Sequence, residues 1–255
     1  MASGDVHFYG HSTLVVETAG ARLITDPVLR DRLAHLRRVP GPPAAAIGAV
    51  DAVLISHVHQ DHLDFPSLAL LGKRTRLIVP VGAGALLARR GYREVEELRA
   101  GETTRVGAAR VLATPARHDG FRPPFGPRAE CLGYVVEGEE RLYFAGDTDL
   151  FPEMASLGRI DVALLPVWGW GPTLGPGHLD PRRAALAAAL IGPAVAVPIH
   201  WGTLAPRLIH RWARGFLTRP PLDFAAAARQ LAPAVDVRIV RPSGFLHAAA
   251  RLPGP

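Results

Sequence analysis

The stretch LISHVHQDHLD, residues 54–64, constrains this chain more than any other. An apolar run, AVLIS at 52–56, leads directly into His57, His59, Asp61 and His62. Such an aliphatic run predicts a strand. In extended backbone alternate side chains point the same way, so His57 and His59 can share one metal ion. As the chain turns from strand into helix, Asp61 and His62 swing towards a second position a few ångströms away. Imidazole and carboxylate together suit zinc and similar divalent ions. A single core histidine is an ordinary packing residue, but four ligand-type residues in so short a run are not explained by packing.

The remainder of the sequence supplies a scaffold for that motif. Strands are predicted at 6–9, 13–18, 22–26, 52–56, 76–80, 109–115, 132–137, 141–146, 162–167, 194–199 and 237–240. These runs are rich in Val, Ile, Leu or aromatic residues, and most are bounded by Gly, Pro or Asp. Helices are predicted at 65–72, 83–91, 181–191, 206–216 and 222–232. The clearest opens at Asp180-Pro181, an N-cap followed by proline at the first helical position, and ends in glycine. Strands come first and then alternate with helices, which predicts α/β layers around sheets within a single domain spanning 1–255. Segments 27–50 and 168–177 read as long Pro/Gly-containing loops, which often form functional rims.

Three further residues fit the metal scheme. His118 follows RVLATPAR, Asp147 lies in FAGDTD, and His200 follows AVAVPI. Each stands just beyond an apolar strand, where side chains emerge at the rim of a sheet. Ligands at several strand ends can converge on one edge and be held there rigidly.

Composition narrows the field. Hydrophobic residues make up 48% of the 255 and charged residues 20%, which excludes intrinsic disorder. One cysteine, Cys131, excludes an internal disulfide framework and a Cys-rich zinc module. No apolar run reaches the roughly 18 residues of a membrane span. The N-terminus carries no signal-peptide pattern, so a cytoplasmic protein is expected. The net charge is +6, which could indicate a nucleic-acid or anionic-lipid partner. However, Lys73 is the only lysine among 29 basic residues and the arginines are scattered. That pattern reads as compositional bias and a solvated surface.

With these motifs in view, the sequence resembles the metallo-β-lactamase superfamily. The pattern HVHQDH at 57–62, then His118, then GDT at 146–148, then His200 covers nearly the whole chain. The resemblance implies a four-layer αββα sandwich with a dinuclear metal site at one edge of the two sheets. It implies one site formed by His57, His59 and His118, and a second by Asp61, His62 and His200, with Asp147 bridging. Diiron relatives usually carry glutamate within this motif, so the intact motif favours hydrolysis. The flanks YGHSTLVVETAGARLITDP at 9–27 and PIHWGTL at 198–204 look like the branch containing N-acyl-phosphatidylethanolamine phospholipase D and the ascorbate-6-phosphate lactonases.

The expected cofactor is two divalent ions, Zn2+ foremost with Mn2+ or Fe2+ as alternatives. Ions roughly 3.5–4 Å apart would hold a water between them and lower its pKa from 15.7 towards about 7. The resulting hydroxide would cleave a phosphodiester, lactone or related small ester. Asp61 could also orient that hydroxide, and His178 could donate to a substrate oxyanion. Asp26, in TDP, and His11, in YGHST, are expected as outer partners of the ligands. Trp168, Trp170, Trp201 and Arg207 are expected around the substrate. Leu204, Leu208, Trp212 and Phe216 give segment 204–217 one apolar face, read as a helix packed on the core, with a lid or membrane-surface role as the alternative. Two rival functions use the same motif: a ribonuclease of the tRNA 3′ processing kind, and a metal-holding scaffold without turnover.

Overall fold

The computed structural model describes residues 4–39, 47–208 and 215–247. Its first sheet has seven strands: β1 (Asp5–Gly10), β2 (Thr13–Thr18), β3 (Ala21–Thr25), β6 (Ala52–Leu54), β7 (Arg76–Pro80), β8 (Val95–Leu98) and β17 (Gly244–His247). They are ordered β17-β1-β2-β3-β6-β7-β8. The second sheet also has seven: β9 (Thr103–Val106), β10 (Ala109–Pro115), β11 (Leu132–Glu137), β12 (Arg141–Phe144), β13 (Val162–Pro166), β14 (Val195–Ile199) and β16 (Asp236–Val237). Their order is β16-β14-β13-β12-β11-β10-β9.

Period-two patterning decides which face each residue covers. In β2, Leu14 and Val16 join the core between the sheets, while Val15 joins the outer cluster. Leu23 and Ile24 of β3 divide in the same way, as do Leu54 and Val53 of β6. The inner residues meet Val111, Tyr134, Val136 and Phe144 of the second sheet. The outer cluster takes up Leu68 of α1 (Phe65–Leu71) and Leu87 of α2 (Gly84–Ala88). On the far side, α3 (Pro181–Ile191) and α5 (Pro220–Leu231) pack on each other and against β13 and β14. The layers therefore run αββα, the metallo-β-lactamase arrangement. Tyr134 also ties the two sheets together, its hydroxyl donating to the Ile55 carbonyl at 2.8 Å.

Most expected elements form where the patterns place them, and β2, β7, β10, β11 and α3 match residue for residue. The loop expected over 27–50 holds a hairpin, β4 (Arg32–Leu33) and β5 (Leu36–Arg38). β15 (Leu204–Pro206) pairs with β5 to complete a small third sheet. The helix expected over 206–216 is thus corrected at its start. Leu204 is a strand residue, because Leu204–Pro206 pairs its backbone with β5 instead of closing helical turns. Residues 209–214, including Trp212, lie outside the described residues, and α4 (Gly215–Thr218) follows them. Leu208, assigned to the apolar face, is exposed. No described helix is long and apolar enough to cross a membrane.

Helix α3 shows the local signals most plainly. The Asp180 side chain accepts from the Arg183 backbone N–H at 2.8 Å, and Gly192 closes the helix at φ 62°. Replacing Asp180 with alanine should cost about 1 kcal/mol. In a chain of this size that lowers the melting temperature by roughly 2–4 °C. Calorimetry should show that drop with unchanged metal content.

Candidate metal centre

The ligand-type residues follow strand ends along one edge of the sandwich. Asp26 follows β3, His57 and its neighbours follow β6, and His118 follows β10. Asp147 follows β12, and His200 follows β14. His11 occupies the turn between β1 and β2, and His178 lies just before α3. The parallel strands β3–β6–β7 and β12–β13–β14 point their carboxyl ends to this edge, where open α/β sheets bind ligands.

Local backbone geometry at this edge is strained. His11, Asp26 and His200 adopt positive φ, at 57°, 34° and 61°. Such conformations in non-glycine residues persist only where the surroundings enforce them, and they cluster at functional sites. Gly146 (φ 60°) lies immediately before Asp147, and a β-carbon there would come within 2.6 Å of Ser56 Cβ. Only glycine lets Asp147 and the His57 strand approach so closely.

Hydrogen bonds from behind set the imidazole tautomers. His62 Nδ1–H donates to Asp26 Oδ2 at 2.7 Å. His57 Nδ1–H donates to Ser56 Oγ at 2.9 Å, and that hydroxyl donates to Asp26 Oδ2 at 2.5 Å. His118 Nδ1–H donates to the Gly177 carbonyl at 2.8 Å, and His200 Nδ1–H to the Trp168 carbonyl at 2.7 Å. With each Nδ1 proton engaged, the Nε2 lone pairs of His57, His62, His118 and His200 turn inward.

Those lone pairs converge. His118 Nε2 lies 3.1 Å from His59 Nδ1, and His62 Nε2 lies 3.2 Å from His200 Nε2. Asp147 stands between the two groups, with Oδ2 3.3 Å from His62 Nε2 and Oδ1 3.2 Å from His200 Nε2. Its Oδ2 is 4.0 Å from His118 Nε2. Asp61 Oδ2 lies 3.7 Å from His62 Nε2 and 3.9 Å from His200 Nε2. Donors arranged tetrahedrally at about 2.0–2.1 Å from zinc would themselves be about 3.3 Å apart. Among the described residues His57 Nε2, fully buried, has no hydrogen-bond partner. A buried acceptor left so exposes a cost that a cation would remove. The residues therefore fit divalent ions, in two adjoining sets: His57, His59 and His118, and His11, Asp61, His62 and His200, each with donor atoms within 4.8 Å of one another.

The electrostatics of four of the histidines and of both aspartates agree with that fit, and His62 stands apart from them. Burial dominates at His57, His59, His118 and His200 and holds all four below the usual histidine range, so they present neutral rings. At His62 burial opposes charge, but Asp147, Asp61 and Asp26 together outweigh it and raise the ring well above that range. Burial also opposes ionisation of Asp61 and Asp147, yet the surrounding histidines hold both well below the usual carboxylate range.

The other expected residues divide. Asp26 accepts from the His62 ring and from the Ser56 hydroxyl. His11 does more, because its Nε2 lies 3.0 Å from Asp61 Oδ2, inside the donor group. His178 Nε2 reaches 3.5 Å from Asp147 Oδ2. Its two backbone acceptors and that carboxylate offset burial and push its pKa up to about 9. Trp170 lines a cleft of about 390 Å3 over the donors. Trp168 serves by its backbone carbonyl on His200, while its own Nε1 donates to the Gly171 carbonyl at 2.8 Å. Trp201 is a correction. Its neighbour His200 turns into the site, so Trp201 faces away into the inter-sheet core, with Nε1 donating to the Pro198 carbonyl. Arg207 is another, since strand pairing ties its backbone N–H to the His35 carbonyl and its exposed side chain does not line the cleft. Ser56, which has no catalytic partner in the sequence pattern, proves to be the link between His57 and Asp26. Leu33, Ala34, His35 and Leu36 of the β4–β5 hairpin, with Gln60 and Pro123, also border the cleft. Only the Pro/Gly-rich loop over 27–50 hinted at them. Cys131 is half-buried and its thiol is pushed up to about 12, which excludes a ready thiolate.

Fold and site together define a metallo-β-lactamase-type sandwich with histidine and aspartate donors at one edge. A family model described as a β-lactamase superfamily domain matches residues 21–201, and the chain belongs to that family. An uncharacterised Mycobacterium tuberculosis protein is 36% identical over 230 residues, covering 81% of this chain and 60% of its own. The chain thus spans well under two thirds of that relative's length. A protein of Pyrobaculum arsenaticum named a UPF0173 metal-dependent hydrolase is 32% identical over 253 residues, covering 95% of this chain and 99% of its own. Among solved structures, the metallo hydrolase Igni18 of Ignicoccus hospitalis superposes with a TM-score of 0.75 at 23% identity, covering 96% of this chain and 98% of its own. That last similarity is one of fold.

Two outcomes test the geometry. Asp26→Asn removes a charged acceptor from behind His62 and Ser56, and should weaken zinc binding about 10- to 100-fold, read by competition with a chromophoric chelator. Gly146→Ala should lower both melting temperature and zinc occupancy, because Asp147 and Ser56 must move apart.

Proposed function

We propose that this chain is a dinuclear-metal hydrolase acting on a small ester, lactone or phosphodiester. The observation that carries this reading is the inward convergence of imidazole lone pairs, with the outer nitrogens of His57, His62, His118 and His200 each engaged from behind. His57, His59 and His118 would hold one ion, and Asp61, His62 and His200 the other, with Asp147 shared between them. Zn2+ is the expected metal, and Mn2+ or Fe2+ suits the same donors. Bound ions of this kind supply Lewis acidity towards a hydrolytic water and the electrophile.

The protein's own groups account for the remaining chemistry. Asp61 faces the cleft with Oδ2 held by His11 Nε2 at 3.0 Å. A carboxylate so fixed can accept a hydrogen bond from the attacking water and orient it. His178 borders the same cleft from the opposite side of Asp147. It is placed to donate from Nε2 to the oxygen that gains charge as the bond breaks. Ser56 is committed to Asp26 and His57, so its hydroxyl is not free to act as a nucleophile.

Protein purified without chelator should carry about two divalent ions per chain by elemental analysis. A panel of chromogenic esters, lactones and phosphodiesters should include at least one substrate turned over only by the loaded protein. Two ions with no turnover across the panel would favour the scaffold. Salt-dependent RNA binding with RNA cleavage would favour the nuclease. Asp61→Ala should lower activity at least 100-fold while changing the melting temperature little. Equal loss of fold and activity would show the motif to be structural.

A further inference from the structure

The cleft over the donors is walled by the β4–β5 hairpin and Trp170 together, with Gln60 and Pro123 also in its lining. Leu33 and Leu36 pair across the hairpin and join a small apolar cluster with Val28 and Leu204, against which Trp170 packs. The tip, Ala34-His35, overhangs the opening, and the His35 ring meets the Trp170 ring edge-on at 5.1 Å. Pairing of β5 with β15 makes this wall part of a sheet, so it is held in place.

Arg30, Arg122 and Arg38 are turned to other partners, and the exposed Arg32 and Arg37 of the hairpin do not line the cleft. Arg30 makes a two-point contact with Asp64 at 2.8 and 2.9 Å. Arg122 donates to the carbonyls of Val58 and Leu63 and lies over the Phe65 ring. Arg38 donates to the carbonyls of Val28 and Tyr9. Among the described residues no arginine or lysine lines the cleft. Its charged groups, Asp61, Asp147 and His178, all belong to the floor at the donor cluster.

We propose that the part of the substrate leading away from the reacting group is uncharged and apolar, held against the wall that the β4–β5 hairpin and Trp170 form together. This rests on the hydrolase reading and names its substrate class: an ester or lactone with a compact aliphatic or aromatic arm. It leaves Arg207, expected around the substrate, outside the cleft. A cleft of about 390 Å3 suits a small-molecule ligand. A second carboxylate on the arm would have to lose water against leucine and tryptophan without a cationic partner.

The test uses two readouts on the zinc-loaded protein. Calorimetric titration compares hexanoate with adipate, which has the same length but ends in a second carboxylate. Kinetics compares kcat/KM for the p-nitrophenyl ester of hexanoate with that of the adipate half-ester. Hexanoate should bind at least tenfold more tightly, and its ester should be cleaved at least tenfold better. Trp170→Ala should bring both ratios below threefold with zinc content unchanged. Equal or tighter adipate binding would overturn the proposal, as would ratios indifferent to Trp170→Ala. Hexanoate preference without hydrolysis of either ester would uphold the assignment of the arm and refute the hydrolase reading instead.

Discussion

The site depends on one buried carboxylate. Asp26 Oδ1 accepts the backbone N–H of Ser56 at 2.7 Å, while Oδ2 accepts from Ser56 Oγ and from His62 Nδ1. Through Ser56 it also governs His57. A single side chain thus registers the end of β3 against the end of β6 and orients one histidine from each proposed metal position. The contact demands that Asp26 leave its strand at a positive φ, a strain that the surrounding bonds offset. Around it, the Gly177 and Trp168 carbonyls do the same for His118 and His200. The imidazole orientations at this edge are therefore set by the backbone of both sheets.

The donor residues were legible because metal chemistry needs particular residue types, and strands present them in a regular way. Two histidines one residue apart after an aliphatic run share a direction. Asp147 and His200 each follow an unmistakable buried strand. The core strands were legible for the same reason, since residues such as Leu14, Val15 and Val16 alternate between two apolar clusters and leave no polar position to confuse the pattern.

What escaped the sequence depends on long-range pairing. β4 and β5 are two and three residues long, too short for periodicity to register, and β5 is held by pairing with β15 from far along the chain. The same pairing makes Leu204–Pro206 a strand despite its place in an apparent amphipathic repeat. Trp201 stands next to His200 in the sequence but points away from the site, because consecutive residues point apart. Ser56 could not be read as a bridge because its partner Asp26 is brought to it by the parallel pairing of β3 with β6. The cleft's apolar wall, assembled from these same short elements, was equally invisible.

Anomalous diffraction from a zinc-loaded crystal tests the central claim most directly. Data collected above the zinc edge should show two peaks roughly 3.5–4 Å apart. One should lie among His57, His59 and His118, and the other among Asp61, His62 and His200, with Asp147 between them. No peak at this edge of the sandwich, or zinc bound only elsewhere on the protein, would contradict the account.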